Sequence, residues 1–203
     1  MVQVLPDLDI DFQPEFFAKV QADFFYASLL QEIPWEQHFV RMFGRQIAAP
    51  RRSSWHGAAD AHYRYSGVRY LPKPYTPALK ALLSALEAYG LQFNSVLCNH
   101  YRNGLDSMGW HSDDEAELGQ NPVIASLSFG TARRFCFRHK QLGLKHELAL
   151  VHGSLLIMKG ATQHAWQHAL PKNTKCLKPD LFGQTGFNQG RVNLTFRWVA
   201  GGN

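Results

Sequence analysis

From residue 94 to residue 199 apolar and polar side chains alternate in short runs broken by turn residues, and a period of two restricts this half of the chain to sheets. In Val96-Leu97-Cys98-Asn99-His100-Tyr101 and Val123-Ile124-Ala125-Ser126-Leu127-Ser128-Phe129 successive side chains leave on opposite faces. Further strands are expected at 134–138, 146–151, 154–159, 164–170 and 191–199, with turns marked by Asn103-Gly104, Asn121-Pro122 and Gly143. So many short, closely spaced strands predict a sandwich or a barrel-like jelly roll. Residues 171–190 have no periodicity and predict a long loop.

The first half reads differently. Thr76 suits an N-cap, Pro77 the first helical position and Gly90 the residue beyond the last turn, with Leu79, Leu82, Leu83 and Leu86 on one face. A second helix is expected at about 16–30, where Val20, Phe24, Ala27 and Leu30 form a stripe read as core. Between the helices, residues 38–75 mix aromatic and basic side chains and suit a lid. The expected class is mainly β with flanking helices (α+β), one domain over 1–203, with helices and lid in about 1–93 and the jelly-roll core in about 94–199.

His111-Ser112-Asp113 sets two metal-ligand side chains at i and i+2, on one face of an extended backbone. His168 lies on a later strand that a jelly roll can fold back beside them. Two His and one carboxylate with open positions is the ligand set of non-haem Fe(II) oxygenases. His164, four residues before His168, shares its parity on an extended strand, so spacing alone does not separate the two. On the last strand Arg191, Asn193, Thr195 and Arg197 alternate with Val192, Leu194, Phe196 and Trp198. Two inward arginines need anionic partners, and a small dicarboxylate would satisfy both. Asn99 and Tyr101 add an amide and a phenol suited to carboxylate oxygens.

Cys98, Cys136 and Cys176 are widely spaced, which excludes a CxxC zinc site and fits reduced thiols. No apolar run suits a membrane span and no secretion signal opens the chain, so membrane association is not expected. The expected location is the cytoplasm in a bacterium or the nucleus in a eukaryote. An excess of five positive charges favours a polyanionic partner.

These residues together resemble the AlkB-type Fe(II)/2-oxoglutarate dioxygenases that repair alkylated nucleobases. The resemblance runs over about 34–199, through Asn99 and Tyr101, Trp110-His111-Ser112-Asp113-Asp114-Glu115, Ala125-Ser126-Leu127-Ser128-Phe129-Gly130, His168-Ala169-Leu170-Pro171 and the RVNLTFR of Arg191–Arg197. Met42-Phe43-Gly44, Pro50-Arg51 and Tyr63-Arg64-Tyr65-Ser66-Gly67 make it most similar to the subgroup that includes the human double-strand DNA repair homologue. It implies a double-stranded β-helix (jelly-roll) core beneath a nucleotide-recognition lid. It implies that His111, Asp113 and His168 bind Fe(II), His168 being chosen because Ala169-Leu170-Pro171 follows it, and that Asn99, Tyr101, Arg191, Asn193 and Arg197 hold 2-oxoglutarate.

The implied reaction removes N-methyl groups from bases such as 1-methyladenine and 3-methylcytosine in DNA, releasing formaldehyde, succinate and carbon dioxide. Trp55, Tyr63 and Tyr65 would wall the base pocket, Glu115 would accept a hydrogen bond from an exocyclic amine, and Phe43 would wedge into the duplex. Arg51 and Arg52, with Arg41, Arg45, Arg64, Arg133, Arg134, Arg138 and Lys140, would meet phosphates. Lys172, Lys175 and Lys178 are dispersed along a loop longer than the basic loop of the duplex-specific relative. The same chemistry on RNA and a non-catalytic nucleic-acid-binding module of the same fold are the alternatives, and no obligate protein partner is evident.

Overall fold

The computed structural model describes residues 5–42, 44–59, 61, 63–65, 68–173 and 190–200. Along the chain these form β1 (Asp9–Gln13), α1 (Lys19–Glu32), β2 (Glu36–Met42), β3 (Arg45–Gly57), β4 (Tyr63–Tyr65), β5 (Val68–Tyr70) and α2 (Pro77–Ala88). There follow β6 (Ser95–Tyr101), β7 (Met108–His111), β8 (Ile124–Gly130), β9 (Arg133–His139), β10 (Lys145–Leu150) and β11 (Ser154–Lys159). The last elements are α3 (Thr162–Ala165), β12 (Trp166–Leu170) and β13 (Arg191–Arg197). Seven strands pair in the order β1-β11-β8-β13-β6-β3-β2, four in the order β10-β9-β12-β7, and β4 with β5 forms a small ribbon. The two larger sheets make the expected jelly roll.

Alternation gives the seven-stranded sheet two unlike faces. Outward, Val96, Cys98, Leu127, Phe129, Leu155, Ile157, Val192, Leu194 and Phe196 pack against Ala22 and Leu29 of α1 and Leu79, Leu82 and Leu86 of α2. Inward, toward the smaller sheet, one end is apolar, with Ile124, Leu156 and Met158 against Phe137, Leu150 and Trp166. The other end is polar, and the functional residues lie there.

The second helix matches its punctuation: Thr76 Oγ1 accepts from the Leu79 N–H at 3.3 Å, and Gly90 has φ of +90°. Left-handed backbone there is cheap only for glycine. The first helix is rotated from the expected stripe. Val20 and Phe24 are 80% and 66% exposed, while Ala22 and Leu29 are buried with Phe25 packed beside them. Apolar residues lie on several sides of this helix, so spacing offers more than one stripe and packing selects among them.

The expected strand at 164–170 begins only at Trp166, because residues 162–165 form the single turn of α3. That turn breaks the parity between His164 and His168. His164 is exposed and accepts from the Asn121 N–H at 3.4 Å. The first half contributes more than helices and a lid, since β1, β2 and β3 extend the large sheet and β3 pairs with β6. Among the described residues no helix is long and apolar enough to cross a membrane.

Candidate functional site

β7 and β12 are antiparallel neighbours, and His111 and His168 are cross-strand partners with ring centroids 4.2 Å apart. Asp113 follows just beyond β7, and one ligand atom from each of the three residues lies within 4.8 Å of the others. His111 Nδ1 is 2.9 Å from the Gly109 carbonyl. A carbonyl only accepts, so Nδ1 carries the proton and Nε2 is left as a donor atom for a metal. Nε2 is 3.8 Å from Asp113 Oδ1.

Asp113 is buried, and its other oxygen, Oδ2, accepts from Arg197 Nη2 at 2.8 Å. Burial pushes its pKa up, but Arg197 and the two imidazoles outweigh that and hold the carboxyl well below the usual carboxylate range. His168 is pushed down to about 3, first by burial and then by His111, and the Phe135 ring lies 5.3 Å from its own. A carboxylate and two unprotonated imidazoles are the forms that bind a divalent metal.

β13 presents the second half of the site. Its partners place Tyr101 opposite Arg191 and Asn99 opposite Asn193 on one side, and Ser128 opposite Asn193 and Ser126 opposite Thr195 on the other. Arg191 Nη2 donates to Ser128 Oγ at 2.9 Å, and its guanidinium carbon lies 5.4 Å from the Tyr101 ring centre. Asn193 Nδ2 donates to Ser126 Oγ at 2.8 Å, and Arg51 Nε donates to Asn99 Oδ1 at 3.0 Å. Asn99, Tyr101, Ser126, Arg191, Asn193 and the three metal-site residues line one cavity between the sheets, together with the apolar side chains of Met108, Phe135 and Leu170.

The two arginines are not equivalent. Arg197 has the carboxylate of Asp113 as its partner, so its charge is balanced without an added anion. Among the described residues no carboxylate lies within ion-pair distance of Arg191, and its Nε is buried without a hydrogen-bond partner. Burial lowers its pKa to about 10, still leaving it charged at neutral pH. A buried cation with no carboxylate beside it among the described residues fits the carboxylate of 2-oxoglutarate, and the His-Asp-His cluster fits Fe(II).

The residues expected to meet a base or phosphate separate into groups. Trp55 is 5% exposed and packed with Ala61, Leu118 and Val199, so it belongs to a core cluster and does not line the cavity. Arg51 reaches the cavity residue Asn99, but Arg52 pairs with His100 on the opposite face, as adjacent strand residues must. Glu115 is half-buried beyond the cavity lining, where its carbonyl accepts from the Leu118 N–H at 3.0 Å.

Arg133 is buried and donates to the carbonyls of Asn103, Asp106 and Pro171, which makes it a brace between loops and removes it from the expected phosphate contacts. Phe43, Lys175 and Lys178 lie outside the described residues, as do the side chains of Arg41, Tyr63, Arg64 and Tyr65. Beside His111, Trp110 is exposed with the Arg138 guanidinium 4.5 Å over its ring.

Among the polar residues that brace the site, Ser126, Ser128 and Gln163 were given no role from sequence. Ser126 and Ser128 were detectable, since they alternate with Ala125 and Leu127 as small polar residues on one strand face. Gln163, whose Oε1 accepts from the Asp113 N–H at 2.9 Å, carries no spacing signal.

Residues 10–197 match the 2OG-Fe(II) oxygenase superfamily. The chain is 40% identical over 197 residues to the human alpha-ketoglutarate-dependent dioxygenase alkB homolog 3, covering 92% of this chain and 64% of that protein. It is 38% identical over 195 residues to the mouse DNA oxidative demethylase ALKBH2, covering 90% of this chain and 77% of that one. The chain thus spans less than two thirds of the length of the first of these relatives. The solved structure of OsALKBH1 superposes with a TM-score of 0.59 at 16% identity, covering 97% of this chain and 98% of that one, which shows the shared fold.

Proposed function

Since this chain belongs to the 2OG-Fe(II) oxygenase superfamily, among its AlkB homologues, we propose that it is a dioxygenase that removes N-methyl groups from nucleobases in DNA. The observation that carries this reading is the convergence of His111, Asp113, His168 and Arg191 on one cavity between the two sheets. When bound, Fe(II) and 2-oxoglutarate supply the oxidation of an N-methyl C–H bond by dioxygen, giving formaldehyde, succinate and carbon dioxide.

The chain's own residues bind and orient. His111 offers Nε2 because Gly109 holds the proton on Nδ1, and His168 is kept neutral by burial. Arg197 keeps Asp113 ionised and fixes one carboxylate oxygen, which leaves Oδ1 for the metal. Arg191 is the cation for a co-substrate carboxylate, held in place by Ser128 and the face of Tyr101. Met108, Phe135 and Leu170 give the cavity apolar lining beside these polar groups.

The positive balance of the chain and the exposed Trp110 with Arg138 beside His111 support a polyanion carrying aromatic bases as substrate. The reading is tested by supplying Fe(II), 2-oxoglutarate and oligonucleotides bearing 3-methylcytosine or 1-methyladenine as duplex DNA, single-stranded DNA and RNA. Formaldehyde release from DNA, abolished in Asp113→Ala, is the expected result. Release from RNA alone would reassign the substrate, and no release from any of the three would overturn the demethylase reading.

A further inference from the structure

We infer that Gln163 is a positioning residue of the metal centre: a buried amide that sets the backbone of Asp113 and so aims its carboxylate. The inference rests on the metal-centre reading above. The ladder between β7 and β12 has His111 opposite His168 as its last pair at this end. Asp113, two residues beyond, has no cross-strand partner in that ladder, although it must present an oxygen to the same point as the two imidazoles.

Side chains take over where the ladder stops. Ser112 Oγ donates to the Trp166 carbonyl at 2.9 Å, and the Asp113 N–H donates to Gln163 Oε1 at 2.9 Å. Gln163 is fully buried. Because the Asp113 N–H can only donate, the amide oxygen must face it, and Nε2 is left with Met158 Sδ at 3.5 Å, a weak acceptor. The orientation of this amide is therefore decided by Asp113.

At the far end of the same residue Arg197 holds Oδ2. Asp113 is thus fixed at its backbone by Gln163 and at its carboxylate by Arg197. Gln163 also lies on α3, immediately ahead of the strand that carries His168, so one short segment orders a carboxylate ligand and an imidazole ligand. Outer partners of metal ligands typically govern metal affinity by about 10- to 100-fold.

The test strips the full chain of metal with a chelator, titrates it with Co(II), and records thermal unfolding of the metal-free protein alongside. Gln163→Leu keeps the volume and removes the acceptor, and its Co(II) dissociation constant should rise by about 10- to 100-fold. Gln163→Met keeps length with a weak acceptor and should fall between the two. A folded variant with unchanged Co(II) affinity and a lowered melting temperature would make Gln163 a packing residue and overturn the inference. Failure of both variants to fold would do the same. Failure of the unsubstituted chain to bind Co(II), or undiminished binding by Asp113→Ala, would instead overturn the metal-centre reading beneath it.

Discussion

Arg191 and Arg197 face the same cavity from one strand, yet their different partners give them opposite energetic roles. Removing Arg197 strands a buried carboxylate, so Arg197→Met should lower stability by about 3 to 5 kcal/mol. Removing Arg191 takes away a buried cation that no carboxylate compensates among the described residues, so Arg191→Met should leave the melting temperature unchanged or raise it. The same change should weaken 2-oxoglutarate by roughly two to four decades. Thermal unfolding and 2-oxoglutarate titration of the Mn(II)-loaded chain check both, and the reverse ranking of the two variants would contradict the assignment. Spacing made the inward arginines legible. Which of them had an internal partner was not, because Asp113 and Arg197 are far apart in sequence and meet only through the order of strands.

At the level of elements, the turn between β6 and β7 brings the metal strand back beside the co-substrate strand. Asp106 is buried there and accepts from the Arg102 backbone N–H at 2.8 Å and from Arg102 Nε and Nη2 at 2.7 and 2.9 Å. Burial alone would raise its pKa, but these bonds hold it below the usual range. A carboxyl depressed in the folded state stabilises fully above its unfolded value of about 3.9 and loses that contribution as pH falls through its folded value. Asp106→Asn should therefore cost about 1 to 3 kcal/mol near neutral pH. The gap from the unsubstituted chain should close as the medium is acidified past about pH 4, followed by denaturant unfolding across pH. A constant gap would show that the carboxylate charge is irrelevant. Legibility at this scale followed punctuation: Thr76, Pro77 and Gly90 announced α2, whereas the single turn of α3 is too short to leave a period, and it misplaced His164.

In the whole molecule, alternation foretold a sandwich or a jelly roll, and on the last strand one polar and one apolar face. It did not foretell which strands are neighbours, because register is a long-range property that no local window contains. The N-terminal strands were missed as members of the large sheet for the same reason, β3 finding its partner β6 across the whole of α2.

β13, the last described strand, lies not at an edge but in the middle of the seven-stranded sheet, bonded to β6 on one side and β8 on the other. During synthesis the ribosome releases every other described strand before this one. Until then β6 and β8 expose facing edges with no neighbour, a state open to mispairing. Arg191 and Arg197 arrive with the same strand, so the nascent chain acquires its continuous sheet and its chemistry in one event. A product ending at residue 190 should be recovered as a protease-sensitive, unfolded chain, and a compact, resistant one would show that the sheet forms without it. A chain cut before β13 should therefore lose its fold together with its chemistry.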